Sequence, residues 1–454
     1  MFTYITTTTV PSFPQLQEEL GISYSQVNWT VAIPALGLAL GPLFWSSLAD
    51  IYGRRIIFIS GTIIALASTI GAGVPGTYSR YMAARFFQGF GCAPAATVGM
   101  ATVGDLFFEF ERGQKLGLWV LALDTGLLVG PIIGGFIDLV SSAWIQWLTA
   151  ILFAVLLGLE LAFMTETLYP RSQMLSQLPP KSSDPEKPLP PSDSPSTTID
   201  LKRTSHLPFL NYRPVPGMKH PAPWSSALRF VLTAKYPVVG IAVVTYCYAW
   251  YWWILSIITM LPAAYISYSP QIQGLLFLGL LLGTLFSEIF CSGTLSDYIC
   301  KRFAIRNNGV RIPEQRLWLA YPAALLSAIG LIVWGISVDQ AYHWIVGQVA
   351  FFLFAAGIQM GNTAIASYIV DCYPLQSMSV ITFYSVLINL SAFIDPFFIA
   401  SWQARSGWTW CFAAQGIITF FVSVPLLGLL HWCGPRLRHQ SGQMPWLNPE
   451  YETL

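Results

Sequence analysis

The decapeptide SSLADIYGRR (46–55) decides the fold, because a related decapeptide, GTLSDYICKR (293–302), lies far along the chain. Each follows a long apolar run, 27–48 in the first instance and 272–294 in the second. A short charged turn directly after such a run is typical of the junction between two membrane-spanning helices. Transporters are commonly built from internal repeats. The pairing therefore predicts a membrane protein made of two related halves.

The composition places most of the chain in lipid. Of the 454 residues, 54% are hydrophobic and 10% are charged, whereas a soluble domain carries roughly 25% charged residues. A span needs about 20 mostly apolar residues. That requirement predicts eleven complete spans, at 27–48, 56–74, 79–103, 114–138, 142–164, 236–260, 272–294, 317–337, 342–368, 376–401 and 407–431.

The apolar stretch 1–16 is too short to cross the bilayer, and it reads as the outer end of a further helix whose inner half is missing. We therefore expect an all-α membrane protein of twelve helices with a truncated first helix. The predicted domains are an N-terminal bundle (1–164), a disordered linker (165–230), a C-terminal bundle (231–432) and a loose tail (433–454). The linker is rich in Pro, Ser and charge, which disfavours a packed core. Nearly all of the 23 Lys and Arg residues fall on the linker side of the predicted spans, which predicts that linker and tail are cytoplasmic.

Several classes of protein are disfavoured by the sequence. A net charge of +1 gives no basis for nucleic-acid binding. No phosphate-binding loop of the ATP-dependent pumps occurs. The seven Cys residues form no metal-binding or disulfide pattern. Because no nucleophile–base pair or metal constellation is present, we expect neither an enzyme nor a cofactor or metal site.

The two charged turns predict a cytoplasmic gate. Gly53 permits a tight turn, and Asp50 can pair with Arg54 or meet a helix N-terminus. The competing interpretation is that the cations only reflect membrane orientation. The predicted gate residues are Leu48, Asp50, Gly53, Arg54, Arg55 and, in the second turn, Asp297.

Span 114–138 carries small residues at close to one-turn spacing, which predict a groove for another helix and a bend at a proline. They are Gly126, Gly130, Pro131, Gly134 and Gly135. This close packing is equally expected of ordinary helix contacts.

Ionisable residues within spans are costly and are functional candidates. Arg85 is followed by Gln88, and we expect it to contact substrate or take part in proton coupling, unless backbone carbonyls hold it structurally. Asp124 and Glu288 are the preferred proton-coupling carboxyls, ahead of Glu160 and Asp395.

Aromatic residues of the seventh helix repeat at helical spacing, which predicts a substrate-facing wall of Tyr246, Trp250 and Trp253. Rings suit flat or cationic molecules, although packing alone explains them equally well. Further polar contacts are expected from Gln88, Gln359, Asn362 and Asn389. The sequon Asn28-Trp29-Thr30 is a weak glycosylation candidate.

Together these motifs resemble the major facilitator superfamily, and within it the fungal twelve-span drug:proton antiporters. The resemblance rests on the first turn, on Arg85, Gln88 and Gly89, and on the glycines after Asp124. The stretches 306–317 and 368–373 also resemble the fungal group. Three positions depart from the family pattern: Ser46 replaces Gly, Ile51 replaces a basic residue, and Ile388 stands where relatives often carry Arg.

The resemblance implies a monomeric, proton-coupled transporter of the plasma membrane, or alternatively of an endomembrane, that exports a hydrophobic or amphipathic small molecule by alternating access. Its energy would come from a proton gradient, its partners being the substrate and the bilayer. Two alternatives remain: uptake of an organic cation such as a polyamine, or a degenerate, non-transporting membrane protein.

Overall fold

The computed structural model describes residue 1 and residues 3–74, 76–107, 111–168, 214 and 219–448. Within these residues the regular structure is entirely helical. In the first half the helices are α1 (Tyr4–Thr7), α2 (Phe13–Leu20), α3 (Tyr24–Tyr52), α4 (Arg54–Gly73), α5 (Tyr78–Leu106), α6 (Arg112–Ile137) and α7 (Ser142–Phe163).

The second half begins with a short helix, α8 (Ser225–Thr233). It continues with α9 (Pro237–Tyr246), a π-helical turn (Cys247–Tyr251), α10 (Trp253–Ala264), α11 (Pro270–Leu275), α12 (Leu278–Phe290), α13 (Gly293–Arg306), a 3₁₀ turn (Pro313–Leu319), α14 (Ala320–Asp339), α15 (Trp344–Cys372), a second 3₁₀ turn (Pro374–Gln376) and α16 (Ser377–Ser441).

Nine helical stretches of the described chain are long and apolar enough to cross a membrane. One of them, Pro374–Ser441, is far longer than the bilayer is thick, and it turns back at Gly407, where φ is 75°. It therefore supplies two crossings. Helix α5 is long enough but more polar, since it carries Arg85 and Gln88. With α5 counted, the crossings agree with the eleven complete spans expected from the sequence.

The halves meet along two matching seams. Helix α3 packs against the first part of α16, and α6 packs against α11, α12, α13 and α15. We call the end of the bundle at Tyr52, Phe163 and Pro237 the linker side, and the other end the far side. The helices that precede the two repeated turns, α3 and α12, thus each pack against a helix of the other half.

Small residues of α6 hold this helix against two neighbours on its far-side half. A β-carbon at Gly130 or Gly134 would collide with the backbone of the segment 4–8. One at Gly135 would collide with the carbonyl of Pro270 on α11. The segment 3–8 is fixed in return, since Thr3 and Thr7 each donate a hydrogen bond of 2.6 Å to a carbonyl of α6. Gly126 faces Thr3 in the same contact.

The linker and tail differ from the expectation at their edges. Residues 225–230, predicted to be disordered, belong to α8, whose Ser226 hydroxyl lies 2.6 Å from that of Ser47. A patterned nine-residue helix can dock on a seam even when the surrounding segment is rich in Pro and Ser. Residues 169–213 and 215–218 lie outside the described part.

The expectation of a loose tail is wrong for 433–448. Helix α16 continues to Ser441, and Met444 and Asn448 are buried. Asn448 donates from its backbone to Leu375 at 2.9 Å and from its side chain to Ser377 at 3.0 Å. These bonds attach the tail to the linker-side start of α16, so polar composition alone gave the wrong result.

Candidate functional site

The glycine of the first charged turn and the start of the following helix are fixed by an acidic residue of the same half. Gly53 has φ 96°, a conformation that favours glycine, and a β-carbon there would meet the carboxylate of Glu166. That carboxylate accepts hydrogen bonds from the backbone N–H groups of Arg54 at 2.9 Å and Arg55 at 3.2 Å. An acidic group at a helix N-terminus is stabilising. Glu166 therefore fixes the start of α4 from the end of α7.

The side chains of this turn reach neighbouring helices. Arg54 donates to Thr102 at 3.0 Å, and Arg55 donates to the carbonyl of Leu161 at 3.1 Å. Asp50 is buried, and Leu48 packs on the core of the first half. Two serines of this turn contact the second half: the Ser46 hydroxyl lies 2.9 Å from that of Thr382, and the Ser47 hydroxyl lies 2.6 Å from that of Ser226.

The second turn belongs to a network of ion pairs and hydrogen bonds that joins the halves. Asp297 accepts a hydrogen bond of 2.8 Å from the backbone N–H of Gln114 on α6, and one of 3.0 Å from Arg316. Arg316 also pairs with Asp371 at 2.6 Å, and Asp371 pairs with Arg112 of α6 at 3.3 Å. Arg316 is buried and Asp371 nearly so. We call Arg112, Asp297, Arg316 and Asp371 the linker-side latch.

Replacing Asp371 with Asn should lower the stability of the closed linker side by about 2 kcal/mol, because Arg316 and Arg112 each lose a carboxylate partner and Arg316 is buried. Thermal unfolding of the purified protein measures this loss. The matched control is Asp339→Asn, which removes an exposed far-side carboxylate bonded to Thr409. Equal melting temperatures for the two variants would contradict a structural role for the latch.

A closed cavity of about 40 Å³ lies between the halves. It is too small for a drug-sized molecule, which needs roughly 300 Å³ or more. The linker-side latch closes one end, while the packing of α6 on α11 and of Trp29 on Phe397 closes the other. This geometry corresponds to an occluded state. The lining residues are Thr3, Thr6, Val31, Ala35, Leu38, Ala96, Trp119, Leu123, Leu127, Tyr251, Leu255, Asn362, Tyr384, Ser385, Ile388, Asn389 and Ala392.

Asp124 makes a polar contact across the centre of the interface. Its buried carboxylate accepts a hydrogen bond of 3.4 Å from Asn362 of the second half, and Asn362 in turn accepts one from the hydroxyl of Tyr384. The other oxygen of Asp124 has no hydrogen-bond partner among the described residues. Asn362 and Tyr384 line the cavity, so the carboxyl of Asp124 lies directly behind its wall.

Glu288 lies at the same interface, nearer the linker side. Its carboxylate accepts hydrogen bonds from Gln359 at 2.8 Å and Thr363 at 3.3 Å, both on α15. Gly117 of α6 faces it so closely that a β-carbon there would collide with the carboxylate. Asp124 and Glu288 thus both lie where α6 meets the second half, although they come from different halves.

Arg85 is held by backbone carbonyls, which is the structural alternative to substrate contact or proton coupling. Its guanidinium donates to the carbonyls of Ile5 at 2.7 Å and Thr30 at 3.2 Å, and to the side chain of Gln88 at 2.9 Å. Gln88 donates to Thr69 and Gln146, each at 3.0 Å. Neither Arg85 nor Gln88 lines the cavity. They join the segment at the start of the chain to α3, α4 and α7.

The residues of the predicted aromatic wall do not line the cavity. Trp250 and Trp253 are buried inside the second half, where Trp250 donates to Ser327 at 2.8 Å and Trp253 to the carbonyl of Ala249. Tyr246 donates to the carbonyl of Ile358 at 3.2 Å. The π-helical turn at Cys247–Tyr251 inserts extra backbone into the helix and changes its phase. Tyr251 therefore lines the cavity instead.

Among the predicted polar contacts, Asn362 and Asn389 line the cavity, whereas Gln359 binds Glu288. Asn389 also donates to the carbonyl of Ser385 at 2.7 Å. The glycosylation prediction at Asn28 is wrong for the folded chain, because this side chain is 1% exposed. Helix α3 begins before the sequon and turns Asn28 into the bundle. No cluster of metal-binding side chains occurs in the described part of the chain.

Most of the chain matches the sequence model of one protein family. Residues 1–376 match the sequence model of the Major Facilitator Superfamily. The chain belongs to this superfamily. It is therefore a multi-span membrane transporter for a small molecule rather than an enzyme, and the all-α fold in two bundles expected from the sequence is confirmed.

Similar members of the superfamily are fungal transporters. The chain is 28% identical over 436 residues to "Probable efflux pump mfs2" of Aspergillus flavus, covering 94% of this chain and 98% of that protein. It is 27% identical to "Efflux pump FUB11" of Gibberella fujikuroi, covering 93% and 71% of the two chains. Among solved structures, the proton:xylose symporter XylE gives a TM-score of 0.64 at 13% identity, covering 94% of this chain and 92% of that chain. The latter similarity concerns the fold alone.

Proposed function

We propose that this superfamily member exports a hydrophobic or amphipathic small molecule by alternating access, driven by a proton gradient. The observation that carries the proposal is the closed cavity between the halves, with the carboxyl of Asp124 bonded across the interface directly behind it. Opening the linker-side end and the far-side end in turn would expose this cavity to one side of the membrane at a time. The names of the fungal relatives support export.

Proton coupling rests on Asp124 and Glu288. Each is a buried carboxyl between the halves, where an ionised group without a cation is costly. The hydrogen bonds of both involve α15, so separation of α6 from this helix would change their surroundings. A carboxyl whose solvation changes with the transport cycle can bind a proton in one state and release it in another.

Uptake of an organic cation is the second candidate, and the composition of the cavity favours a cation as the substrate. The hydroxyl-bearing rings of Tyr251 and Tyr384 lie beside Asp124 with its unpartnered oxygen. Rings and a carboxylate together suit a cation. The same site also suits export of a cationic amphipath, so the direction must be measured.

The test is transport by the purified protein in proteoliposomes under an imposed pH gradient, with neutral amphipaths and organic cations as substrates. We expect the substrate to accumulate only while the pH gradient is maintained. The direction of transport is assigned relative to the membrane face on which the linker lies. Transport that does not respond to the gradient would exclude proton coupling. Failure to move any compound of either class would favour a non-transporting protein.

A further inference from the structure

A second concave site opens at the linker side of the second half, apart from the central cavity. Its volume is about 630 Å³. Four separate segments form its walls: α13 at Cys300, the stretch 311–316, the end of α15 at Asp371 and Cys372, and the end of α16 with the following residues 442–443. We call it the basic cleft.

The cleft collects cationic and N–H-bearing side chains. Arg311, Arg316, Arg438 and His439 line it, and the acidic residue in its wall is Asp371. Arg316 is held by Asp371 and Asp297, and Arg438 lies 3.4 Å from Glu314 behind the wall. These two arginines are therefore already compensated.

Arg311 and His439 supply the unused donors. Both are exposed, and neither makes an ion pair or a hydrogen bond to an acidic side chain of the described chain. An arginine carries five N–H donors in a planar fork, and a neutral histidine retains one N–H donor. They approach the same concavity from the turn before the 3₁₀ helix and from the end of α16, which are far apart in sequence.

We propose that the basic cleft binds an oxyanion of the phosphate class. Planar guanidinium groups bind phosphate oxygens with two parallel hydrogen bonds, which gives both affinity and orientation. The volume accommodates a ligand of up to the size of a nucleotide. The phosphate comes from a soluble cytosolic compound or from a lipid headgroup at the membrane surface, and the chemistry of recognition is the same for both.

The cleft also has a direct connection to the linker-side latch. Arg316 and Asp371 form part of its wall, and the same Asp371 binds Arg112 of the first half. An anion in the cleft would compete with Asp371 for the Arg316 guanidinium and would alter the position of the carboxylate that holds Arg112. Occupancy is thereby coupled to the opening of the linker side, and the coupling is reciprocal.

Calorimetric titration of the full-length protein in detergent with inorganic pyrophosphate tests the proposal without any transport measurement. We expect saturable binding that weakens about tenfold or more when Arg311→Gln and His439→Gln are combined. The matched control is Arg306→Gln, an exposed arginine at the end of α13 that does not line the cleft. It should leave the affinity within about twofold of the parent protein, since it changes net charge alone.

The sources of the phosphate are separated in nanodiscs. If a lipid headgroup fills the cleft, pyrophosphate should bind more weakly in discs containing a phosphoinositide than in discs of phosphatidylcholine, and the double variant should remove this difference. Equal binding in both discs, abolished in the double variant, indicates a soluble ligand. No binding by the parent protein in detergent and in phosphatidylcholine discs, or equal loss in the Arg306→Gln control, overturns the proposal.

Discussion

Replacing Gly89 with Ala should destabilise the protein by about 3 kcal/mol or more. Gly89 lies on α5 against Pro34 of α3. A β-carbon would lie 2.8 Å from the carbonyl carbon and 3.0 Å from the Cα of Pro34, and closer still to the carbonyl oxygen. All three are backbone atoms, which cannot rotate away as a side chain can. The two helices would have to separate.

The contact is reciprocal, which increases the cost. Gly37 of α3 faces the backbone of Phe86 and Phe90 on α5 in the same way. Small residues on both helices permit this approach, and in lipid such packing supplies much of the driving force for helix association. Separation at position 89 would therefore also weaken the contact at position 37.

The measurement is thermal unfolding in detergent, with Gly158→Ala as the matched control. Gly158 also lies within a helix, α7, but a β-carbon there would meet no atom within 4 Å. Alanine is the better helix former by about 1 kcal/mol, so this variant should be neutral or slightly stabilised. If both variants lose the same stability, close packing of α3 on α5 is not the reason for glycine at position 89.

The spans could be predicted from the sequence because each is set by a local property, a run of apolar residues long enough for the bilayer. The repeat was likewise visible in two short stretches. The order of α8 and of the tail could not be predicted in the same way, because both segments are held by contacts with the rest of the bundle. Asn448, for example, is buried by contacts with Leu375 and Ser377, and nothing in a polar tail indicates such a surface.

The site could be predicted only in part, for a similar reason. Asp124 and Glu288 stand out as carboxyls within apolar runs. Of the latch, Asp297 could be predicted as a gate residue from the repeated turn. Arg112 and Asp371 could not, because they come from opposite halves and look like ordinary charges at span ends. A partial signal existed in the stretches 306–317 and 368–373, which carry Arg316 and Asp371. Glu166 gave no comparable signal, since it lies at the start of the predicted linker.

The seventh helix shows a different limit. Regular helical spacing places Tyr246, Trp250 and Trp253 on one face, but the π-helical turn breaks that regularity between the first and last of them. One inserted residue rotates the following side chains by about 100°. Tyr251 consequently replaces the tryptophans at the cavity. Periodicity cannot anticipate such a turn, because it assumes an uninterrupted helix.

Replacing Asp124 with Asn should abolish accumulation driven by a pH gradient while leaving exchange of substrate across the membrane intact. A gradient of one pH unit stores about 1.4 kcal/mol per proton, enough for about tenfold accumulation at one proton per substrate. Asn has nearly the shape of a protonated carboxyl and can still bond to Asn362, but it cannot release a proton. The transporter would then alternate without coupling, and the accumulation ratio should fall to about one.

Accumulation and exchange are both measured on each variant, which separates a role in proton coupling from a role in substrate binding. Glu288→Gln applies the same change to the second interfacial carboxyl, and Glu160→Gln is the control, since Glu160 lies on α7 away from the interface and binds Thr62 at 3.0 Å. Loss of both accumulation and exchange in Asp124→Asn would indicate a role in substrate binding rather than in coupling. Because the two residues lie on opposite halves and contact the same helix, either carboxyl alone could suffice, and the double variant tests this. Accumulation that survives in both single variants but is lost in the double variant would show that either carboxyl suffices. Accumulation that survives in the double variant as well would eliminate both carboxyls as the coupling site.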